Sequence, residues 1–128
     1  MKTFAGYCCI IWGCNGMKEL FNKQIEIQKI AFDVNLPEHK PELVRYFALG
    51  LMSEVGEVLQ ADKTWKPFNV GVCNGENVKE ELADCYLFLM NLCLAEGFTA
   101  EQMIEMIRNK QEVVLQRIRR DKECKSQK

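Results

Sequence analysis

Histidine is the scarcest side chain of chemical interest, because His39 is the only one among 128 residues. Catalytic sites that need two histidines are therefore excluded, and a Ser-His-Asp or Cys-His mechanism would have to use His39 itself. A di-iron helical bundle is excluded as well, since it takes a Glu-x-x-His pair from each of two helices. We interpret His39 as an exposed loop residue rather than a ligand contact.

An excess of charge of one sign is also missing. Seventeen basic residues oppose eighteen acidic ones, which leaves a formal charge of −1, and the composition is typical of a soluble single domain. We therefore expect neither nucleic acid nor a membrane as a partner. The longest apolar stretches, about residues 4–14 and 82–95, are too short or too interrupted to span a bilayer.

The seven cysteines form no metal or disulfide pattern. Their number is odd, and no C-x-x-C pair occurs. This usage is typical of reduced thiols in the cytoplasm and does not indicate a disulfide framework or a zinc site.

The first sixteen residues differ from the rest of the chain. The segment MKTFAGYCCIIWGC is apolar and has one basic residue, so it fits an export signal poorly. We interpret residues 1–16 as a hydrophobic extension, or as the result of a mis-set start with Met17 as the true first residue. The expected domain is residues 17–122, followed by a basic tail at 123–128.

Apolar residues recur at helical spacing along most of the chain. Together with the scarcity of proline and the lack of any strand-like alternation, they predict an all-α fold, a compact four-helix bundle. Helices are expected at about 17–35, 41–63, 77–96 and 100–122. Asn77 with Glu80 and Thr99 with Gln102 resemble capping boxes, and Gly97 is the expected stop between the last two helices.

Four carboxylates stand in matching pairs on the second and third predicted helices. Glu54 and Glu57 form an E-x-x-E pair, and Glu81 and Asp84 form an E-x-x-D pair. Residues three apart lie on one face of a helix, so two packed helices can bring all four acids to one point. Oxygen-only ligands of this kind select hard divalent cations such as Mg²⁺.

The surroundings of the second pair favour a metal site over salt-bridged structural acids. Between Leu82 and Ala95 the only clearly polar side chains are Asp84 and Asn91, so we expect this helix to be buried nearly all round. A buried carboxylate is costly, and metal coordination offsets that cost.

Basic residues gather on the fourth predicted helix. Lys110 and Arg117 are two turns apart on one side of it and are candidates for holding phosphate groups. The alternative is a cation-rich helix end favoured by the helix dipole, which we prefer for Arg119, Arg120 and the tail.

With these motifs in place, residues 17–120 resemble the all-α nucleoside triphosphate pyrophosphohydrolases, the MazG-like and dimeric dUTPase-like superfamily. The resemblance rests on SEVGEVLQ and EELADCYLFL, which carry the two acid pairs. DKTWK, with Lys63 and Trp65, and KQEVVLQR, from Lys110 to Arg117, are similar to segments of the dUTPase branch. Gln111 and Val114 replace two asparagines of that branch.

The resemblance implies hydrolysis of a (d)NTP, for example dUTP or dCTP, to the monophosphate and pyrophosphate, with Mg²⁺ or in its place Mn²⁺. It implies that the four acids bind metal and that Lys63, Lys110 and Arg117 hold phosphates. Trp65 or Phe88 would stack on the base and Asn91 would bond base or sugar, with core packing or a satisfied buried amide as alternatives. A homodimer or homotetramer is expected, since four short helices leave little depth to enclose a nucleotide. A non-catalytic helical module that binds metal or nucleotide is the other hypothesis.

Overall fold

Four helices make up nearly all of the described chain. The structure, a computed structural model, describes residues 5–66, 68, 73 and 75–126, with side chains described from residue 15 onward. The helices are α1 (Ala5–Phe32), α2 (Pro41–Asp62), α3 (Gly75–Ala95) and α4 (Ala100–Ser126). No strand occurs among these residues, so the prediction of an all-α, four-helix fold is confirmed. None of these helices alone has the length and apolarity needed to cross a membrane.

The predicted helix ends at about 63 and 96 agree with the structure, whereas α1 ends at Phe32 rather than at about 35 and α4 continues to Ser126, beyond the predicted end at 122. Two helix starts differ as well. α1 begins at Ala5 rather than at residue 17, since no proline interrupts the chain before Pro37. α3 begins at Gly75, so Asn77 lies inside the first turn and is not the residue that caps it. Most of the predicted loop at 67–76 lies outside the described residues.

The break between α3 and α4 forms as predicted. Gly97 has a φ of 91°, a backbone conformation that residues with a Cβ atom rarely adopt. The Thr99 backbone N–H donates to Gln102 Oε1 at 2.8 Å, and the Gln102 N–H donates to Thr99 Oγ1 at 3.3 Å. This reciprocal pair is a capping box, and it fixes where α4 begins.

The chain divides into two units, which we describe separately. One comprises Phe21–Phe98, and the other comprises Met1–Leu20 with Thr99–Lys128. In the second unit, Lys18 Nζ lies 2.9 Å from Glu101 Oε1, which links α1 to the first turn of α4.

In the Phe21–Phe98 unit, α2 and α3 pack along each other. Phe47 and Leu94 are almost completely buried, and the Phe47 and Phe88 rings meet edge to face with centroids 6.4 Å apart. Gly50 permits this approach, because a Cβ at that position would lie 2.2 Å from Phe88 Cε1. This close contact between the two helices is therefore one turn away from Glu54 on α2 and from Asp84 on α3.

The segment before α2 closes the other end of α3. The backbone N–H of Glu38 donates to the Leu94 carbonyl at 3.2 Å, and that of Lys40 donates to the Ala95 carbonyl at 3.0 Å. These bonds satisfy carbonyls that a helix end leaves without partners. His39 between them is exposed, as expected, and lies 3.7 Å from Glu96.

Candidate metal and nucleotide site

The predicted acid pairs of α2 and α3 meet. One carboxylate oxygen from each of Glu54, Glu57 and Glu81 lies within 4.8 Å of the other two. Glu54 and Glu81 are half-buried, and Glu57 is exposed. A set of oxygen donors this close together suits a hard divalent cation, which binds carboxylates at about 2.0–2.6 Å.

The acids repel one another. The pKa of Glu54 is raised above its ordinary value of 4.5 by a hydrogen bond with Glu57, by partial desolvation and by the negative charges of Glu57, Asp84 and Glu81. The pKa of Glu81 is raised by partial desolvation first and then by Glu57 and Asp84. A bound cation would offset these negative charges and would compete with protons for the carboxylate oxygens.

Asp84 corrects one sequence-based expectation. It lies near enough to raise the pKa values of both Glu54 and Glu81, but it is not among the three acids whose oxygens cluster. It is exposed, and so are its apolar neighbours Leu82 and Tyr86. The expectation that α3 is buried nearly all round is therefore wrong, because within the Phe21–Phe98 unit one side of this helix is uncovered.

Asn91 is one of three buried amide side chains in the Phe21–Phe98 unit. Gln24 Nε2, on α1, donates to Asn91 Oδ1 at 3.1 Å and lies 3.3 Å from the Leu87 carbonyl oxygen. Gln28 lies one turn further along α1 and is also buried, and its Oε1 has no hydrogen-bond partner among the described residues. A buried acceptor without a partner is costly, so Gln28 Oε1 is an acceptor left for a donor group.

Sequence reasoning missed Gln24 and Gln28. A signal was present, because these two glutamines step by 3 and 4 from Phe21 and so share the face of α1 that is buried. A polar residue on the apolar side of a helix indicates a buried hydrogen bond. The prediction of the first helix rested on its apolar residues alone.

Phe88 packs between α2 and α3, as the core-packing alternative to base stacking expects. Its ring lies over Gly50 and meets the Phe47 ring edge to face. Its predicted stacking on a base remains a prediction.

Lys63 and Trp65 lie at the C-terminal end of α2. Lys63 caps the helix in a left-handed conformation with a φ of 60°. Trp65 Nε1 donates to the Leu59 carbonyl at 2.7 Å, and Lys66 Nζ lies 5.3 Å from the Trp65 ring centre. The indole is thus held against the helix end while more than half of its surface stays open to solvent.

Lys110 and Arg117 lie on α4, in the unit formed by Met1–Leu20 and Thr99–Lys128. Both are exposed. Lys110 lines an apolar groove of α4 between Ile107 and Val114. Their roles in phosphate binding stay predictions, as does the role of Lys63.

Comparison with known proteins identifies the family. A family model described as dUTPase matches residues 16–126, which include both acid pairs, the buried amides and Lys110 to Arg117. The chain belongs to this dUTPase family. Searches of curated proteins and of solved structures find no match. Membership in the dUTPase family indicates a hydrolase of nucleoside triphosphates in the broad sense, with use of a divalent metal.

Proposed function

We propose that this member of the dUTPase family is a Mg²⁺-dependent pyrophosphohydrolase that converts a (d)NTP, dUTP or dCTP in particular, to the monophosphate and pyrophosphate. The observation that carries the proposal is the cluster of Glu54, Glu57 and Glu81, whose oxygens meet from two helices within 4.8 Å. The dUTPase match over residues 16–126 sets the class of substrate.

The donor set fits a hard cation. The side chains of Glu54, Glu57 and Glu81 offer only carboxylate oxygens. Asp84 is close enough for its negative charge to raise the pKa of Glu54. The pKa of Glu54 is raised first by its hydrogen bond with Glu57 and the pKa of Glu81 first by desolvation, and neighbouring negative charges, which a divalent ion would offset, raise both further. When bound, Mg²⁺, or Mn²⁺ in its place, neutralises phosphate charge and lowers the pKa of an attacking water.

The proposed reaction is one displacement at the α-phosphorus. A water oxygen forms a bond to that phosphorus, the bond to the oxygen that bridges to the β-phosphorus breaks, and pyrophosphate leaves. The water loses one proton, for which an ionised carboxylate of the cluster is the nearest acceptor. Lys63, Lys110 and Arg117 would hold phosphate oxygens by charge-assisted hydrogen bonds.

The buried amides are the proposed contact for the base or sugar. Gln24 fixes the orientation of the Asn91 amide by donating to its Oδ1, and we assign the Asn91 N–H groups to the ligand. Gln28 Oε1 supplies an acceptor. A pyrimidine base carries both donors and acceptors on its edge, and amide side chains offer both kinds of group. Trp65 suits stacking on the base better than Phe88, because its ring is open to solvent.

The biological setting completes the proposal. Hydrolysis of a (d)NTP to its monophosphate removes it from the pool that polymerases use, so we assign the protein to nucleotide-pool sanitation in the cytoplasm.

We expect a homodimer or homotetramer, because many large apolar side chains of the described residues are exposed.

The test is pyrophosphate release from a panel of deoxy- and ribonucleoside triphosphates, with Mg²⁺ and with EDTA. We expect release from at least one pyrimidine deoxynucleotide with Mg²⁺ and none with EDTA. No release from any nucleotide at stoichiometric protein would contradict the proposal. Calorimetric binding of Mg²⁺ and nucleotide without release would instead support the non-catalytic module.

A further inference from the structure

An apolar groove runs along α4. It has a volume of about 570 Å³, and among the described residues it is lined by α4 alone, from Met103 to Ile118. Of the residues that line it, Leu115 is 41% exposed, Ile107 is 42% exposed and Ile118 is 48% exposed. Apolar surface of this extent favours a cover that removes it from water.

The apolar extension belongs to the same unit as α4. Met1–Leu20 and Thr99–Lys128 form one compact unit, and α1 is helical from Ala5 onward. No charged residue occurs between Phe4 and Asn15. A helix that is apolar all round is stable only where other side chains cover it. This unit therefore contains two apolar surfaces that need cover.

An ion pair fixes the point where the two helices meet. Lys18 Nζ lies 2.9 Å from Glu101 Oε1, and Lys18 shares a small cavity with Ile104. From Ile104, residues three or four apart continue on one side of α4 and line the groove, namely Ile107, Gln111, Leu115 and Ile118. The groove thus leads away from the place where Lys18 contacts α4.

The position of the ion pair leaves one direction for the extension. α4 begins at Ala100, so from Glu101 it continues only toward higher residue numbers. The extension leads from Lys18 toward lower numbers, and it can follow α4 only by running antiparallel to it. Both helices rise about 1.5 Å per residue, so residues equally far from the ion pair stay level. Cys8, ten residues before Lys18, is then level with Gln111, ten residues after Glu101.

We propose that residues 5–14 lie along the groove of α4, antiparallel to it, and cover it within the same chain. The lengths agree, because thirteen residues lead from Lys18 back to Ala5 and thirteen lead from Glu101 to Val114, which lines the groove. The inference goes beyond the proposed function, which assigns nothing to residues 5–14.

The chemistry of both surfaces favours this occupant over a charged partner. The described lining of the groove is apolar except for Lys110 and Gln111, and the extension carries no charge. A segment of the same chain is also present at an effective concentration on the order of millimolar, so it covers the groove ahead of a separate partner. The dUTPase match begins at residue 16, so this cover would be an addition to the family domain.

The test is cross-linking of the full chain with a short bismaleimide, which joins two thiols. Gln111→Cys places a thiol in the groove, level with the native Cys8 and its neighbour Cys9. We expect a product of monomer mass on a denaturing gel, in which peptide mass spectrometry finds position 111 joined to Cys8 or Cys9. Asn109→Cys is the matched control, because Asn109 is also exposed but lies about 160° away around α4. Its yield should be about tenfold lower.

A second readout is alkylation of the native thiols by iodoacetamide. In the wild type, the slower of Cys8 and Cys9 should react more slowly than the exposed Cys124. Ile107→Glu places a charge in the groove and should speed this reaction. Val113→Glu is the matched control, because Val113 is 41% exposed against 42% for Ile107 but does not line the groove, and it should leave the rate unchanged.

Several results would overturn the inference. A cross-link of dimer mass would mean that a second copy fills the groove. Equal yields for Gln111→Cys and Asn109→Cys, or no cross-link in a variant that circular dichroism shows to be folded, would contradict it too. If Gln111→Cys fails to fold, the alkylation rates decide, and equal effects of Ile107→Glu and Val113→Glu would count against it. None of these measurements uses nucleotide or metal, so this inference and the proposed function can fail separately.

Discussion

The two halves of α3 differ in what their residues do. The N-terminal half carries Glu81 and Asp84 and is largely open, and its charges repel those of α2. The C-terminal half contains the buried residues Met90, Asn91, Leu94 and Ala95, and backbone bonds from the segment before α2 hold its end. A well-packed half thus anchors a half whose acids repel those of α2 and are open to a ligand. Binding groups are commonly held on a rigid scaffold in this way.

The largest expected effect comes from the open half. Glu57→Gln removes one negative oxygen donor from the cluster, so we expect Mg²⁺-dependent pyrophosphate release to fall at least about 100-fold, while circular dichroism stays unchanged. Glu42→Gln is the matched control, because Glu42 is an exposed acid of the first turn of the same helix. Wild-type rates for Glu57→Gln would remove the metal assignment.

The largest effect on stability is expected from the anchored half. Asn91→Ala removes one of the two acceptors of the buried Gln24 amide and leaves a cavity, so we expect the free energy of unfolding in urea to fall by about 1–3 kcal/mol. Asn22→Ala is the control on α1, since Asn22 is exposed, and it should change stability by about 0.5 kcal/mol or less. If both variants unfold at the same urea concentration, the Gln24–Asn91 bond does not anchor this half.

The junction of the two halves is tested at Gly50. A methyl group there would lie 2.2 Å from Phe88 Cε1, and overpacking of this kind costs about 1–3 kcal/mol, more than the helix propensity gained with alanine. We therefore expect a lower thermal midpoint for Gly50→Ala. Gly56→Ala is the matched control on α2, with nothing near the added methyl, and it should raise stability by about 0.5–1 kcal/mol. A rise for both variants would show that Phe88 does not pack against Gly50.

The smallest expected effect is the pH dependence of the metal-free protein. The pKa values of Glu54 and Glu81 are raised in the folded state, so their contribution to stability is full below about pH 4.5 and is lost as the pH rises through the raised pKa values. In EDTA, Glu54→Gln should lose less stability than the wild type over that range. Mg²⁺ affinity should fall as the pH is lowered through it, because protons and metal compete. Equal pH profiles for variant and wild type would show that the acids do not repel one another.

Much of this site follows from local spacing in the sequence. Three-residue spacing placed Glu54 with Glu57 and Glu81 with Asp84, and packing of two antiparallel helices was enough to bring three of them together. The Thr99–Gln102 cap and the Gly97 stop are local too, and both formed as predicted.

The rest depends on contacts between residues far apart in sequence. The Gln24–Asn91 bond joins α1 to α3, and the apolar pattern of neither helix specifies the other as its partner. The exposure of Asp84 was missed for the same kind of reason. A helix that is apolar all round predicts burial, but sequence does not say whether one chain or two provide the cover.

The most direct test of the central claim is hydrolysis of dUTP or dCTP in ¹⁸O-labelled water with Mg²⁺, followed by mass spectrometry of the products. The account predicts nucleoside monophosphate and pyrophosphate, with the label in the monophosphate, and no products in EDTA. Label in pyrophosphate, release of a diphosphate with inorganic phosphate, or products that persist in EDTA would contradict it.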